Sequence, residues 1–324
     1  MALRDSVDVR TIKRQFRFVT PALLVDWIVV ALLGLASHAI ERRYPYERPV
    51  EPYLDDPQYQ YPVVAEQVPS GPGSLLETLT WYFPLTVIVL VAASRKSFHD
   101  IHHGVLGLSA SRAIMRLTVE FLKNQVGRLR PSFFARCDYD VVTKTCNAVG
   151  EHAAALVKDG RKSFPSGHSS TSFQGLLFLS LFLAGKNGAF AIATAYPRST
   201  PLESRFLRLS ISIAPLFLAA WICITRLQDH WHHPTDVLAG ATIGSACALL
   251  TYSIYYKNPF SVPVRTTAGE VVDHHHHHGA SEALKYLGTP RDVYGALERD
   301  PLDGDGEIRL EHGNEAIPDG EEQA

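Results

Sequence analysis

Six apolar runs crowd into the first 256 residues: Pro21 to Ile40, Leu75 to Ala93, Val105 to Leu122, Ser169 to Ala184, Leu209 to Ile224 and Val237 to Tyr256. A helix rising ~1.5 Å per residue needs ~20 residues to cross ~30 Å of hydrocarbon, so each run is near spanning length, the fourth and fifth at the short end. Backbone polar groups in lipid must be satisfied within the segment, which selects helices. The fold class this predicts is all-α: an integral membrane bundle of six transmembrane helices over residues 20–256. A basic segment, 1–19, precedes it, and an acidic tail, 257–324, follows; the tail's composition predicts disorder, and its five-histidine tract, His274 to His278, has no expected catalytic role.

The net charge of −2 provides no electrostatic case for nucleic acid. Four cysteines, two of them (Cys223 and Cys247) inside apolar runs, exclude a disulfide scaffold or a Cys-rich zinc module. Cys137 and Cys146 share a polar loop, and their spacing leaves bonded and free forms equally open.

Arg4, Arg10, Lys13, Arg14 and Arg17 precede the first run, and Arg95, Lys96, Lys186, Arg198, Arg205 and Arg208 flank later ones, so these segments are expected in the cytosol. The first connection, acidic and rich in Pro and Tyr, is expected outside. Ser37-His38-Ala39 resembles a signal-peptidase site, but Asp26 within the preceding run favours an uncleaved anchor. The third connection is rich in Lys and Arg yet falls outside, against the rule. In the third run Arg112, Arg116, Glu120 and Lys123 lie on one helical stripe, which is expected to face an enclosed polar site. Gly240 and Gly244 give the last run a small-residue packing face.

Three polar clusters follow in order: Lys123 to Pro131 (KNQVGRLRP), Phe164 to Ser170 (FPSGHSS) and Thr225 to Asp236 (TRLQDHWHHPTD). In the six-span topology all three reach the same outer surface, which accounts for the misplaced positive charge. Lysine, arginines, a Ser-Gly turn at a helix start and two histidines suit a phosphate group. Guanidinium forks and helix N-terminal N–H groups hold its oxygens, while one imidazole attacks phosphorus and another protonates the leaving oxygen. The pattern reads as phosphoryl transfer through a phosphohistidine.

These clusters resemble the three signature motifs of the type 2 phosphatidate phosphatase superfamily, K-x6-R-P, P-S-G-H and S-R-x5-H-x3-D. FHDIHHGVLGL, RPSFFARC and KSFPSGH add a similarity to plant and fungal lipid phosphate phosphatases; the resemblance covers about Phe98 to Tyr256. It implies that His232 is the nucleophile, that Asp236 orients and polarises it, and that His168 protonates the leaving oxygen. It further implies that Lys123, Arg130 and Arg226 hold the phosphate, with Ser166 and the Gly167 N–H completing the cradle. Thr225 stands where the family pattern has Ser.

Other readings carry less. His230, His232, His233 and Asp236 could form a metal cluster, but the phosphate motifs weigh against it. His99, Asp100, His102 and His103 lie on the expected cytosolic side, away from the site. The D-x-D-x-V match at Asp138 to Val142 lacks the soluble α/β context of aspartyl-phosphate phosphatases. The expectation is therefore a multi-pass, metal-independent membrane phosphatase without cofactor. Its substrates would be phosphatidate, lysophosphatidate or diacylglycerol pyrophosphate in the bilayer. A phosphotransferase sharing the phosphohistidine and a non-enzymatic lipid-binding scaffold are the alternatives.

Overall fold

The computed structural model describes residues 20–150, 153–190 and 204–260. Among them the chain is mostly helical: α1 (Pro21–Glu41), α2 (Leu75–Ser94), α3 (Phe98–Val126), α4 (Phe133–Cys137), α5 (Ala153–Gly160), α6 (Gly167–Asn187), α7 (Arg205–Gln228) and α8 (Pro234–Tyr255). Two short strands, β1 (Tyr139–Asp140) and β2 (Thr145–Cys146), pair antiparallel between α4 and α5.

Local sequence sets the helix limits. Ser97, Ser166 and Ser204 each accept a hydrogen bond from a backbone N–H of the first turn of α3, α6 and α7, and Pro234 stands in the first turn of α8. Helix α3 stops short of Pro131 because Gly127 adopts a left-handed conformation (φ 55°) and caps it. A Cβ at Gly127 would also collide with the Tyr46 carbonyl, so the first connection can lie directly on this turn.

Helix α6 is the central element, packed against α3, α7 and α8, with Ile88, Leu108, Phe178, Phe182, Ala248 and Tyr252 in the buried cluster beside it. Helix α1 lies at the periphery and exposes Leu24, Val25, Ile28, Leu32 and Leu35, the pattern of a face that meets lipid.

Helices α1, α2, α7 and α8 are long and apolar enough to cross a membrane. The other two expected spans are helical, α3 with 29 residues and α6 with 21, but they fall outside that measure. The reason is their polarity. Helix α3 carries Asp100, Arg112, Arg116, Glu120 and Lys123, and α6 buries Ser169, Ser170, Ser172, Gln174 and Ser180. Hydropathy penalises such residues wherever they point, although a helix enclosed by its neighbours need not face lipid.

The stripe on α3 divides. Glu120 and Lys123 pair with each other at the end of the helix, whereas Arg112 pairs with Glu77 of α2 and Arg116 with Glu41 of α1. The third connection is tied by a disulfide between Cys137 and Cys146, which closes the β1–β2 hairpin and resolves the open question. Asp138 and Asp140 belong to that hairpin, where the Asp140 carboxylate accepts from the Val142 N–H and the Thr143 hydroxyl. The basic N-terminal segment, Arg198 and the tail with His274 to His278 lie outside the described residues.

Helices α6 and α8 approach closely because Gly240 and Gly244 face the backbone of the α6 start: a Cβ at Gly240 would strike the Ser166 carbonyl, and one at Gly244 the Ser170 carbonyl. Gly244→Ala should therefore cost ~1–3 kcal/mol through overpacking and lower activity, despite alanine's better helix propensity. Gly34→Ala on α1, where a Cβ meets nothing within 4 Å, should be neutral or slightly stabilising. Thermal unfolding in detergent measures both.

Candidate active site

The ends of α3 and α7 and the starts of α6 and α8 meet at one end of the helices, and all three polar clusters meet there. Lys123 ends α3, with its Nζ 3.2 Å from where a Gly167 Cβ would stand, so a side chain at Gly167 would crowd the ammonium. The Phe164 to His168 turn enters α6, and the Ser166 N–H donates to the Asp236 carbonyl at 3.0 Å, joining the second cluster to the third. Arg226, fully buried, ends α7.

Each cation has a carboxylate. Lys123 Nζ donates to Glu120 Oε1 at 2.7 Å, and Arg226 Nη2 to Asp229 Oδ2 at 2.9 Å. Asp159 of α5 accepts from Arg130 at 2.8 Å and from Arg136 at 3.2 Å, and both guanidinium groups lie over the Trp231 ring. Burial raises the Asp159 pKa, but Arg130 and Arg136 outweigh it and hold the carboxyl below its ordinary value. Burial, reinforced by Arg130, lowers Arg136 to about 10. Thr225 Oγ1 accepts from Arg226 Nε at 3.2 Å and Nη2 at 3.1 Å, so the hydroxyl at this position braces the guanidinium.

The two histidines are fixed differently. His232 Nδ1 lies 2.7 Å from the Ser163 carbonyl, which can only accept, so Nδ1 carries the proton and Nε2 keeps its lone pair. Arg130 Nη1 donates to that Nε2 at 3.2 Å. His168 turns its Nε2 to the Val68 carbonyl at 2.9 Å and to Arg226 Nη1 at 3.2 Å.

Asp236 stands one step back from His232, with its Oδ2 3.9 Å from Nδ1. Its carboxylate accepts from Ser163 Oγ at 2.6 Å, the His233 N–H at 3.0 Å and Arg128 Nη1 at 2.6 Å. It therefore fixes the residue whose carbonyl fixes His232. His230 stacks on Tyr61 with ring centroids 4.1 Å apart, and the His99 and His103 rings stack on each other elsewhere, near Tyr255.

The eight site residues named from sequence come together, with several partners that sequence did not reveal. Arg128 stands at a variable position inside the first cluster, and Arg136, Asp159 and Ser163 lie just outside the clusters. More distant is the first connection, whose Glu66 lies 3.7 Å from Arg226 and 3.8 Å from His168. Gln67 donates twice to Asp229, and the Val64 carbonyl accepts from Trp231. This segment read only as an acidic, irregular loop, since no local pattern tied it to motifs so far along the chain.

Residues 104–260 match the PAP2 superfamily. The chain is 35% identical over 240 residues to Lipid phosphate phosphatase 2 of Arabidopsis thaliana, covering 72% of this chain and 78% of that protein. It is 34% identical to Lipid phosphate phosphatase 1 of the same plant, covering 78% and 74%. Similarity to Diacylglycerol pyrophosphate phosphatase 1 of Saccharomyces cerevisiae is 29% over 256 residues, 75% of this chain and 83% of that one. No solved structure matches. The chain belongs to the PAP2 superfamily, and it is a phosphatase.

Burial, with Arg130 adding to it, lowers the His232 pKa from 6.5 to about 4, so the ring is neutral at physiological pH. An unfolded chain takes up this proton near pH 6.5 and the folded one only near 4. The native state therefore keeps its full stability above the higher value and loses it as pH falls between the two. The contribution lost is about 3–4 kcal/mol at most, at about 1.4 kcal/mol per pH unit between those two values. His232→Gln should flatten the acid side of a stability profile followed by unfolding in detergent.

Proposed function

We propose that the protein hydrolyses lipid phosphates, namely phosphatidate, lysophosphatidate and diacylglycerol pyrophosphate, through a phosphohistidine on His232 and without a metal ion. The observation that carries this reading is the unprotonated Nε2 of His232, whose ring is held through Nδ1 by the Ser163 carbonyl and whose Nε2 accepts from Arg130, with His168 and Arg226 across the same site. The names of the relatives support the substrate class.

In the first step the Nε2 lone pair of His232 forms a bond to phosphorus as the bond to the leaving oxygen breaks. His168, as the imidazolium, gives that oxygen its Nε2 proton and becomes neutral. Lys123, Arg130 and Arg226 hold the remaining phosphoryl oxygens, with Ser166 and the Gly167 N–H at the start of α6. Water then attacks phosphorus, His168 takes its proton, the P–N bond breaks and phosphate leaves. Three fixed cations neutralise charge that a divalent ion would otherwise meet. Asp236 positions His232 through Ser163.

Phosphate release from these lipids should persist in excess EDTA; loss restored by a divalent metal would overturn the metal-free reading. His232→Ala should abolish the phosphoenzyme. His168→Ala should slow turnover by ~10²–10⁴, the usual worth of general acid catalysis. A substrate with a good leaving group should partly rescue His168→Ala and leave His232→Ala inactive; equal rescue of both would sink the division of roles.

The six helices α1, α2, α3, α6, α7 and α8 serve as the spans, with the site at the outer or lumenal surface and the N-terminal segment and tail in the cytosol. Convergence of the starts of α6 and α8 with the ends of α3 and α7 supports an even number of crossings between motifs. Val149→Cys in the third connection and Ser94→Cys at the end of α2, in a chain lacking Cys223 and Cys247, should label from opposite sides with an impermeant thiol reagent. Labelling of both from outside in sealed, oriented vesicles would refute this topology.

A further inference from the structure

His168 Nε2 has two close neighbours with conflicting demands. The Val68 carbonyl at 2.9 Å can only accept, which calls for a proton on Nε2; Arg226 Nη1 at 3.2 Å can only donate, which calls for a lone pair. A general acid has to be the imidazolium, and its Nε2–H then faces a guanidinium; burial, reinforced by Arg226, holds the His168 pKa well below the ordinary histidine value.

The first connection supplies the offsetting charge. Glu66 Oε1 lies 3.7 Å from Arg226 Nη1, and Oε2 lies 3.8 Å from His168 Nε2. The Ser70 N–H donates to Oε2 at 3.0 Å, and fully buried Val68 anchors the strap among Leu76, Leu176, Ala219 and Ile222. The other charged groups around this point are engaged as well: Asp229 holds Arg226 Nη2 and Gln67, so Glu66 is the second carboxylate on Arg226, on the Nη1 side that faces His168; Asp159 holds Arg130 and Arg136, Glu120 holds Lys123, and Asp236 holds Arg128, with His232 on the Ser163 carbonyl. Among the described residues, Glu66 is the carboxylate paired with His168.

We propose that Glu66 is a positioning residue for the general acid: its carboxylate offsets Arg226 and keeps the proton on His168 Nε2 until the leaving oxygen arrives. This rests on the phosphohistidine reading. Glu66 keeps its own charge throughout; the proton passes from His168 to the oxygen as the P–O bond breaks and the P–N bond forms. Burial, partly opposed by Arg226, raises the Glu66 pKa, which marks the poorly solvated setting where a carboxylate acts most strongly on a neighbour.

The test uses the full chain in detergent, wild type, Glu66→Gln and Glu66→Asp, with phosphatidate and p-nitrophenyl phosphate across the pH range. Glu66→Gln should lower kcat on phosphatidate about tenfold at neutral pH and move the alkaline limb about one pH unit toward acid. The aryl ester, whose leaving group needs little protonation, should lose much less, and Glu66→Asp should recover part of the loss. An unmoved alkaline limb, equal losses on both substrates, or a gain in activity, as from a carboxylate that merely blocks phosphate, would each overturn the proposal. If Glu66→Gln does not fold, Glu66→Asp must show a smaller shift in the same direction, and no shift overturns it. Trapping the phosphoenzyme separates the two readings: wild type without histidine-bound phosphate defeats the phosphohistidine itself, whereas wild type with it and unaltered Glu66 variants defeat only the role of Glu66.

Discussion

Bringing fixed cations to one point inside an apolar bundle costs desolvation and mutual repulsion, and the site is built around offsetting that cost. The carboxylates that do so come from several parts of the chain: Glu120 from α3, Asp159 from α5, Asp229 from the α7–α8 connection and Asp236 from α8. The pairs of Lys123 and Arg226 are local, three residues apart, whereas those of Asp159 and Asp236 are also joins between elements. Asp159 binds Arg130 and Arg136 together and so ties α5 to the segment between α3 and α4, while Arg128 reaches Asp236 and ties that segment to α8. Removing one partner leaves a buried charge uncompensated, which costs more than the pair contributes.

The different roles proposed for the two histidines go with the different acceptors that meet them. For His232 the Ser163 carbonyl lies on Nδ1, which leaves Nε2 unprotonated and accepting from Arg130; for His168 the Val68 carbonyl lies on Nε2 itself. The first arrangement suits attack and the second suits proton donation. Neither acceptor is a side chain, so neither is written in a motif, and Asp236 reaches His232 through Ser163 more closely than directly.

This bears on what could be read from the sequence. The helices were legible because burial and lipid exposure leave long apolar runs, and the site because its cations and histidines recur at fixed spacings beside turns. Helix α3 runs 29 residues from Phe98, beginning before its apolar run, because the polar turn carrying Asp100 and His103 is buried and reads as a flank. Glu66 was not legible, because its partners Arg226 and His168 lie more than a hundred residues away and contact follows from the path of a loop. The Cys137 and Cys146 bond was open for the same reason, since the β1–β2 register that brings the thiols together is a tertiary fact.

The alternating direction of the helices explains where the cations stand. At one end of an antiparallel bundle some helices present N-termini and others C-termini. The starts of α6 and α8 offer partial positive charge and N–H donors to an anion, while the ends of α3 and α7 offer partial negative charge that would repel it. Lys123 occupies the last turn of α3 and Arg226 the last turn of α7. The residues that oppose the unfavourable dipoles are thus two of those in the proposed phosphate cradle, each balanced by a carboxylate of its own. Bundle polarity alone would leave two of the four helix ends unfavourable to an anion; a cation in each C-terminal turn offsets that, which fits the basic residues of the clusters falling at the ends of apolar runs and not within them.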